Sequence, residues 1–239
     1  MASESVTRKD ELAANLAAVR ELIDVATAKA GREQGSVALL PVTKFHPAAD
    51  IALLAELGVI EVAENREQEA REKAAALPQV KIHMIGQIQT KKANSVARWA
   101  HAVHSVDSVK LALALDRGVA LAIERNDRAP GPLTCFVQLS LDGDASRGGC
   151  SLDGIDELAD VVDKAEHLQL AGVMCVPPLG VDPNEAFAQA AGVVSRLAKR
   201  YGRHLEFSAG MSGDLAAAIA NGSTMVRVGT AILGPRPLG

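Results

Sequence analysis

The feature that most constrains this chain is an alternation of two hydrophobic periods. Short apolar runs of strand length begin at Val37, Val59, Val80, Ala102, Leu133, Leu168, Leu205 and Thr224. Between them lie stretches with helical spacing, which begin near Ala48, Gln68, Thr90, Val109, Gly154, Asn184, Asp214 and Thr230. A strand that is always followed by a helix can pair with the next strand only in parallel, through a right-handed crossover. Eight such units in 239 residues are the accounting of a closed (β/α)8 barrel, which takes ~250 residues. A doubly wound open sheet would call for G-x-G-x-x-G after the first strand, and none follows it.

A further helix precedes the barrel. Leu12, Leu16, Val19, Ile23 and Ala26 recur at spacings of three and four over residues 7–30, and Gly31 stands where a helix ends. The expected organisation is one domain over residues 1–239, with the barrel at 37–234. Pro41 lies inside the first strand, so one ladder hydrogen bond should be missing there.

Composition narrows the function classes. Hydrophobic residues make up 48% and aromatics 3%, so the core must be aliphatic and alanine-rich, as suits helices on buried parallel strands. A net charge of −4 lacks the basic footprint of nucleic-acid binding. The lone Trp99 and Tyr201 offer bases no stacking platform. Cys135, Cys150 and Cys175 form an odd set without a C-x-x-C pair, which predicts neither disulfides nor zinc. His101 and His104, three apart near a strand, should not converge on one metal. No metal site is expected. The charged N-terminus lacks the apolar core of a signal peptide, and no stretch is long enough to span a bilayer. The expected location is the cytoplasm, with a monomer as the default state.

Two segments could carry chemistry. Lys44 closes the first strand in PVTKFHP and shares a face with Ala38, Leu40 and Val42. At the rim of a dry barrel, burial would disfavour its ammonium form and improve the amine as a nucleophile for an aldehyde. Taken alone, the segment reads more simply as an ordinary lysine at a strand end. The second is a pair of turns: Ser208, Gly210, Ser212 and Gly213 in LEFSAGMSGDL, and Arg227, Gly229 and Thr230 in VRVGTAILGPR. Small residues at helix starts expose amides to an anion, and barrels often bind phosphate after their last two strands. Plain turn and cap chemistry would also use them. Glu64 and Glu67 read as acids favoured at an exposed helix start.

Read together, PVTKFHP, VAENREQEAREK, IHMIGQIQTKK, VHSVDS, AGVMCVPP and FSAGMSGDLAAAIANGSTMVRVGTAILGPR, in order from Val42 to Arg236, resemble the pyridoxal phosphate homeostasis protein family. That family is related to the barrel domain of alanine racemases. The resemblance implies that the chain holds pyridoxal 5'-phosphate (PLP) as a Schiff base on Lys44. It implies Ser208, Gly229 and Thr230 at the cofactor phosphate and Arg227 facing the pyridine nitrogen. Asn65, His83, Met211 and Ser212 match motif positions around the pocket without an assigned role. Three positions depart from the family pattern: Ala63 stands for a glycine, Gln87 for a histidine and Lys91 for an asparagine.

The implied role is intracellular PLP homeostasis, with PLP-dependent apoenzymes as conceivable recipients. Racemisation needs two bases, and the related racemases take the second, a tyrosine, from another domain. Tyr201 falls near the end of an outer helix, far from the rim. A carrier without catalytic residues is therefore expected, with a weak amino-acid racemase or lyase as the alternative. A third alternative is a phosphate-metabolite barrel that binds a sugar on Lys44.

Overall fold

The computed structural model describes residues 6–236; the predicted span also takes in residues 1–5 and 237–239, which lie outside them. The chain opens with α1 (Arg8–Lys29) and then alternates: β1 (Ala38–Pro41), α2 (Ala48–Glu56), β2 (Glu61–Glu64), α3 (Glu67–Ala76), β3 (Lys81–Met84) and α4 (Ala93–Trp99). It continues with β4 (Ala102–Val106), α5 (Val109–Glu124), β5 (Leu133–Leu139), α6 (Ile155–Lys164), β6 (Leu168–Cys175) and α7 (Pro183–Tyr201). The last elements are β7 (Glu206–Ser208), α8 (Leu215–Ala220), β8 (Met225–Val228) and α9 (Thr230–Leu233).

All ladder pairs are parallel, in the order β1-β8-β7-β6-β5-β4-β3-β2. The remaining gap between β1 and β2 is spanned by a single bridge, Val42 to Ala63, with the Thr43 amide donating to Ala63 O at 2.9 Å. The result is a nearly closed (β/α)8 barrel. Pro41 accounts for the seam. Val42 sends its N–H to Val228 O in β8, so the alternating position before it faces β2. Proline has no N–H to give there. The predicted missing bond is the weak edge of the barrel.

The aliphatic core is divided by the sheet. Two large clusters fill the shell between strands and helices; a small one, Leu40, Val42 and Ala63 with Ile85 and Met225, lies inside the barrel. The rest of the interior is not aliphatic. His83, His104, Ser208 and Arg227 are buried there among the inward strand positions. This departs from the branched apolar layers that usually plug such barrels.

α1 starts with a capping box between Thr7 and Asp10 and buries the five predicted positions Leu12, Leu16, Val19, Ile23 and Ala26. It packs on α2, α8 and α9 within the second cluster. Polar clasps fix it there: Arg8 donates to Asp50 Oδ2 at 2.7 Å and to Leu233 O at 2.8 Å, and Asn15 donates to Ile232 O at 3.0 Å. The added helix thus clasps the C-terminal end of α9. Among the described residues, no helix is long and apolar enough to cross a membrane.

Candidate functional site

A cavity of about 350 Å³ opens at the C-terminal ends of the strands. It draws on six of the eight strand ends. Val42 and Lys44 follow β1, Asn65 follows β2, Ile85 follows β3 and Met174 with Val176 ends β6. Met211, Ser212 and Gly213 come from the turn after β7, and Arg227, Gly229 and Thr230 from β8 and its turn. Seven sequence-predicted residues therefore meet in one place: Lys44, Asn65, Met211, Ser212, Arg227, Gly229 and Thr230.

Ser208 and His83 do not join them. Ser208 is fully buried beneath the cavity, taking a hydrogen bond from Arg227 Nη1 at 2.7 Å and sharing another with His104 Nδ1 at 2.9 Å. It stands under the arginine and does not itself line the cavity. His83 lies deeper still, with Nδ1 3.0 Å from His104 Nε2 and Nε2 3.5 Å from Glu61 Oε2 at the start of β2. Period-2 patterning gives the face of a strand, not the height of a residue in a tilted barrel. Both side chains point inward, but below the cavity floor.

Lys44 is half-buried and sits one turn beyond β1 rather than on it. The turn is shaped from below. Lys73, a buried residue of α3, donates to Thr43 O at 2.9 Å, Glu64 Oε1 at 2.6 Å and Glu69 Oε1 at 2.7 Å. Thr43 Oγ1 donates to Glu64 Oε1 at 2.5 Å, and the Phe45 amide to Glu69 Oε1 at 2.6 Å. Phe45 is held at φ 69°, a left-handed conformation unusual for a bulky residue, next to the amine. Glu64, read from sequence as an exposed acid, is fully buried and belongs to this clamp. Helical spacing gave no signal for Lys73, because its stem runs under the preceding loop rather than out to water.

Asn65 reaches the cavity through a close backbone approach. A Cβ on Gly86 would lie 2.0 Å from Asn65 O, so only glycine lets the loop after β3 pass. Gly86→Ala should force the two loops apart and cost about 1–3 kcal/mol. Urea denaturation measures it, and an unchanged midpoint would refute the close approach.

Arg227 is 4% exposed and donates to Ser208 Oγ and, from Nη2, to Cys175 O at 3.1 Å. Burial pulls its guanidinium down to about 10, which leaves it cationic at neutral pH. The turn after β7 is drawn tight by Asp214, whose Oδ1 accepts the Met211 amide at 2.5 Å. Gly210, at φ 98°, makes that turn with no room for a side chain against Ala218. The helices behind the two turns have six and four residues. With helices this short, the donors on offer are the local amides of the turns rather than a summed dipole.

Arg147, given no role by sequence, ties two rim loops together by donating to Asp142 Oδ2 at 2.9 Å and Pro177 O at 2.6 Å.

Comparison with known proteins agrees with this architecture. Residues 10–237 match the family described as alanine racemase, N-terminal domain. A pyridoxal phosphate homeostasis protein of Corynebacterium glutamicum is 62% identical over 216 residues, covering 90% of this chain and 98% of that protein. One of Mycobacterium tuberculosis is 46% identical over 246 residues, covering 97% and 95%. Among solved structures, PipY of Synechococcus elongatus with PLP bound superposes with a TM-score of 0.77 at 33% identity, covering 93% of this chain and 100% of that one. By full-length likeness and by the barrel itself, the chain belongs to the pyridoxal phosphate homeostasis proteins, within the alanine racemase N-terminal domain family.

Proposed function

We propose that this chain binds PLP in the cavity at the strand ends and serves its homeostasis in the cytoplasm, with Lys44 holding the cofactor as a Schiff base. One observation carries the reading: a primary amine, a buried guanidinium and two small-residue turns face the same 350 Å³ space. That set fits the group. PLP supplies an aldehyde that condenses reversibly with an amine, and a phosphate that needs donors at some distance from it.

Lys44 provides the amine, and the half-buried turn keeps it at the cavity wall. Arg227 has donors and no acceptor, so facing a ring nitrogen it gives a hydrogen bond and withholds a proton. That leaves the ring a weaker electron sink than a carboxylate partner would. Ser212, Gly213, Gly229 and Thr230 supply backbone amides and hydroxyls for the phosphate. Asn65 and Met211 complete the wall.

The same lining supports a carrier. Among the described residues that line the cavity there is no carboxylate, histidine, tyrosine or cysteine. Lys44 and Arg227 are the ionisable side chains in that lining, and a guanidinium has no acceptor with which to take a proton. The single tyrosine, Tyr201, ends α7 on the outside of the barrel, where its hydroxyl donates to Asp160 Oδ1 at 2.7 Å. Among the described residues that line the cavity, two-sided proton transfer finds no second partner. An aldehyde cofactor held by Lys44 would stay open to exchange with other amines, which would suit delivery to PLP-dependent apoenzymes.

Borohydride reduction of the purified chain, followed by peptide mapping, tests the reading. The expected label is on the Lys44 peptide, and steady turnover of L-amino acids is expected to be absent. A label on another lysine would move the site, and rapid racemisation would replace the carrier with an enzyme. Arg227→Gln should keep the label on Lys44 while shifting the visible spectrum of the bound cofactor and weakening its retention by about 1–3 kcal/mol. An unchanged spectrum would separate Arg227 from the ring.

A further inference from the structure

The opposite mouth of the barrel gathers three potential metal ligands. Glu61 opens β2, His83 lies in β3 and His101 directly precedes β4. One donor atom from each lies within 4.8 Å of the others. Sequence spacing concealed this group, because its members come from three strands. His104, the sequence neighbour of His101, turns inward to a different partner.

His83 supplies an independent sign that the group awaits a ligand. The residue is 3% exposed, and its Nε2 atom is buried without a formed hydrogen bond. It points to Glu61 Oε2 at 3.5 Å, close to the ~3.4 Å between two donors around a tetrahedral zinc ion. A buried ring nitrogen left in this way costs free energy unless something binds it.

We infer that Glu61, His83 and His101 form a binding site for a divalent transition-metal ion of the zinc class at the N-terminal mouth of the barrel. Two imidazoles and one carboxylate are a donor set such ions favour, with water in the remaining position. The outer support is in place as well. With the ion on Nε2, the His83 proton resides on Nδ1, and His104 Nε2 stands 3.0 Å away to accept it. Metal-bound histidines characteristically make that second bond. Lys81 holds the other carboxylate oxygen, Oε1, at 2.9 Å, which leaves Oε2 for the ion. His101 lies with its ring centroid 5.3 Å from that of His83, so a small side-chain rotation closes the triad.

The column below the cavity gives the site a consequence. From His83 the contacts run to His104, Ser208 and Arg227. A bound ion fixes the direction in which His83 and His104 donate along this path.

Cobalt(II) alone, titrated into the full-length chain freed of cofactor, tests the site through its visible absorption, with zinc(II) added to displace it. The expected result is one ion per chain, and at least ~10-fold weaker binding in His101→Ala and in Glu61→Gln. Both side chains are partly exposed at the mouth, so the variants should fold, as circular dichroism checks. His204→Ala, at an exposed histidine outside the group, should bind as the parent does. Binding weaker than ~1 mM, or binding that survives in both His101→Ala and Glu61→Gln, would overturn the assignment.

Discussion

Lys44→Ala should empty the chain of reducible cofactor while leaving its fold untouched. The two effects separate because of where the residue sits. Among the described residues its amine makes no ion pair, and Nζ lies 6.0 Å from the centroid of the Phe45 ring. Removing it should change stability by no more than ~0.5 kcal/mol, as for other surface-side substitutions. Retention is another matter. On the proposed reading, the Arg227 donor and the turn amides would be left to hold PLP without the amine, and affinity should fall by at least ~100-fold, or about 2.7 kcal/mol. Lys44→Arg distinguishes the bond from the charge. A guanidinium keeps the cation but is no amine nucleophile, so this variant should lose borohydride labelling as completely as the alanine does. Cofactor content after desalting, with label counted by mass spectrometry, measures both. Undiminished labelling in either variant would show that Lys44 is not the attachment point.

How much of this was legible in the sequence depends on the length scale. The eight strand–helix units follow from hydrophobic periods that each span only a few residues, and the folded elements begin within a few positions of those patterns. The convergence of Lys44 with Ser212, Gly229 and Thr230 follows from topology alone, because every C-terminal strand end in a parallel barrel faces the same mouth. What could not be read was depth. Ser208 and His83 occupy inward positions, yet strand tilt sets them below the cavity, and tilt leaves no mark in a single strand's pattern. Nor could the sequence show groups assembled from distant segments. Lys73 reaches from α3 to Glu64 on β2, and His101 finds its neighbours across two other strands. Nor did the sequence show that His83, His104, Ser208 and Arg227 would join in one buried column. Each of these is a contact between elements, fixed only when the barrel closes.

Lys73→Met should be the most damaging single change outside the cavity. Lys73 is the only cation hydrogen-bonded to the fully buried Glu64 among the described residues, and it also ties Thr43 and Glu69 to the same point. Methionine fills similar space but leaves a buried carboxylate with the Thr43 hydroxyl as its remaining donor. Breaking a buried pair from one side costs about 3–5 kcal/mol. The loss should depend on pH in a definite direction. Burial pushes the Glu64 carboxyl above its ordinary 4.5, and Lys73 and Thr43 oppose that rise. With the lysine gone the rise is larger, so the folded variant binds a proton that the unfolded chain releases. Stability then falls as pH rises through the interval above 4.5 and recovers on acidification. Glu64→Gln in the same chain removes the charge and should restore most of the lost stability at neutral pH. The effect reaches the function through Phe45: once Glu69 is released, its grip on the Phe45 amide loosens, and the left-handed turn that presents Lys44 relaxes. Denaturation of the single and double variants across pH, with borohydride labelling in parallel, measures both effects. A pH-independent change under ~1 kcal/mol would show that the clamp is not what holds the lysine turn.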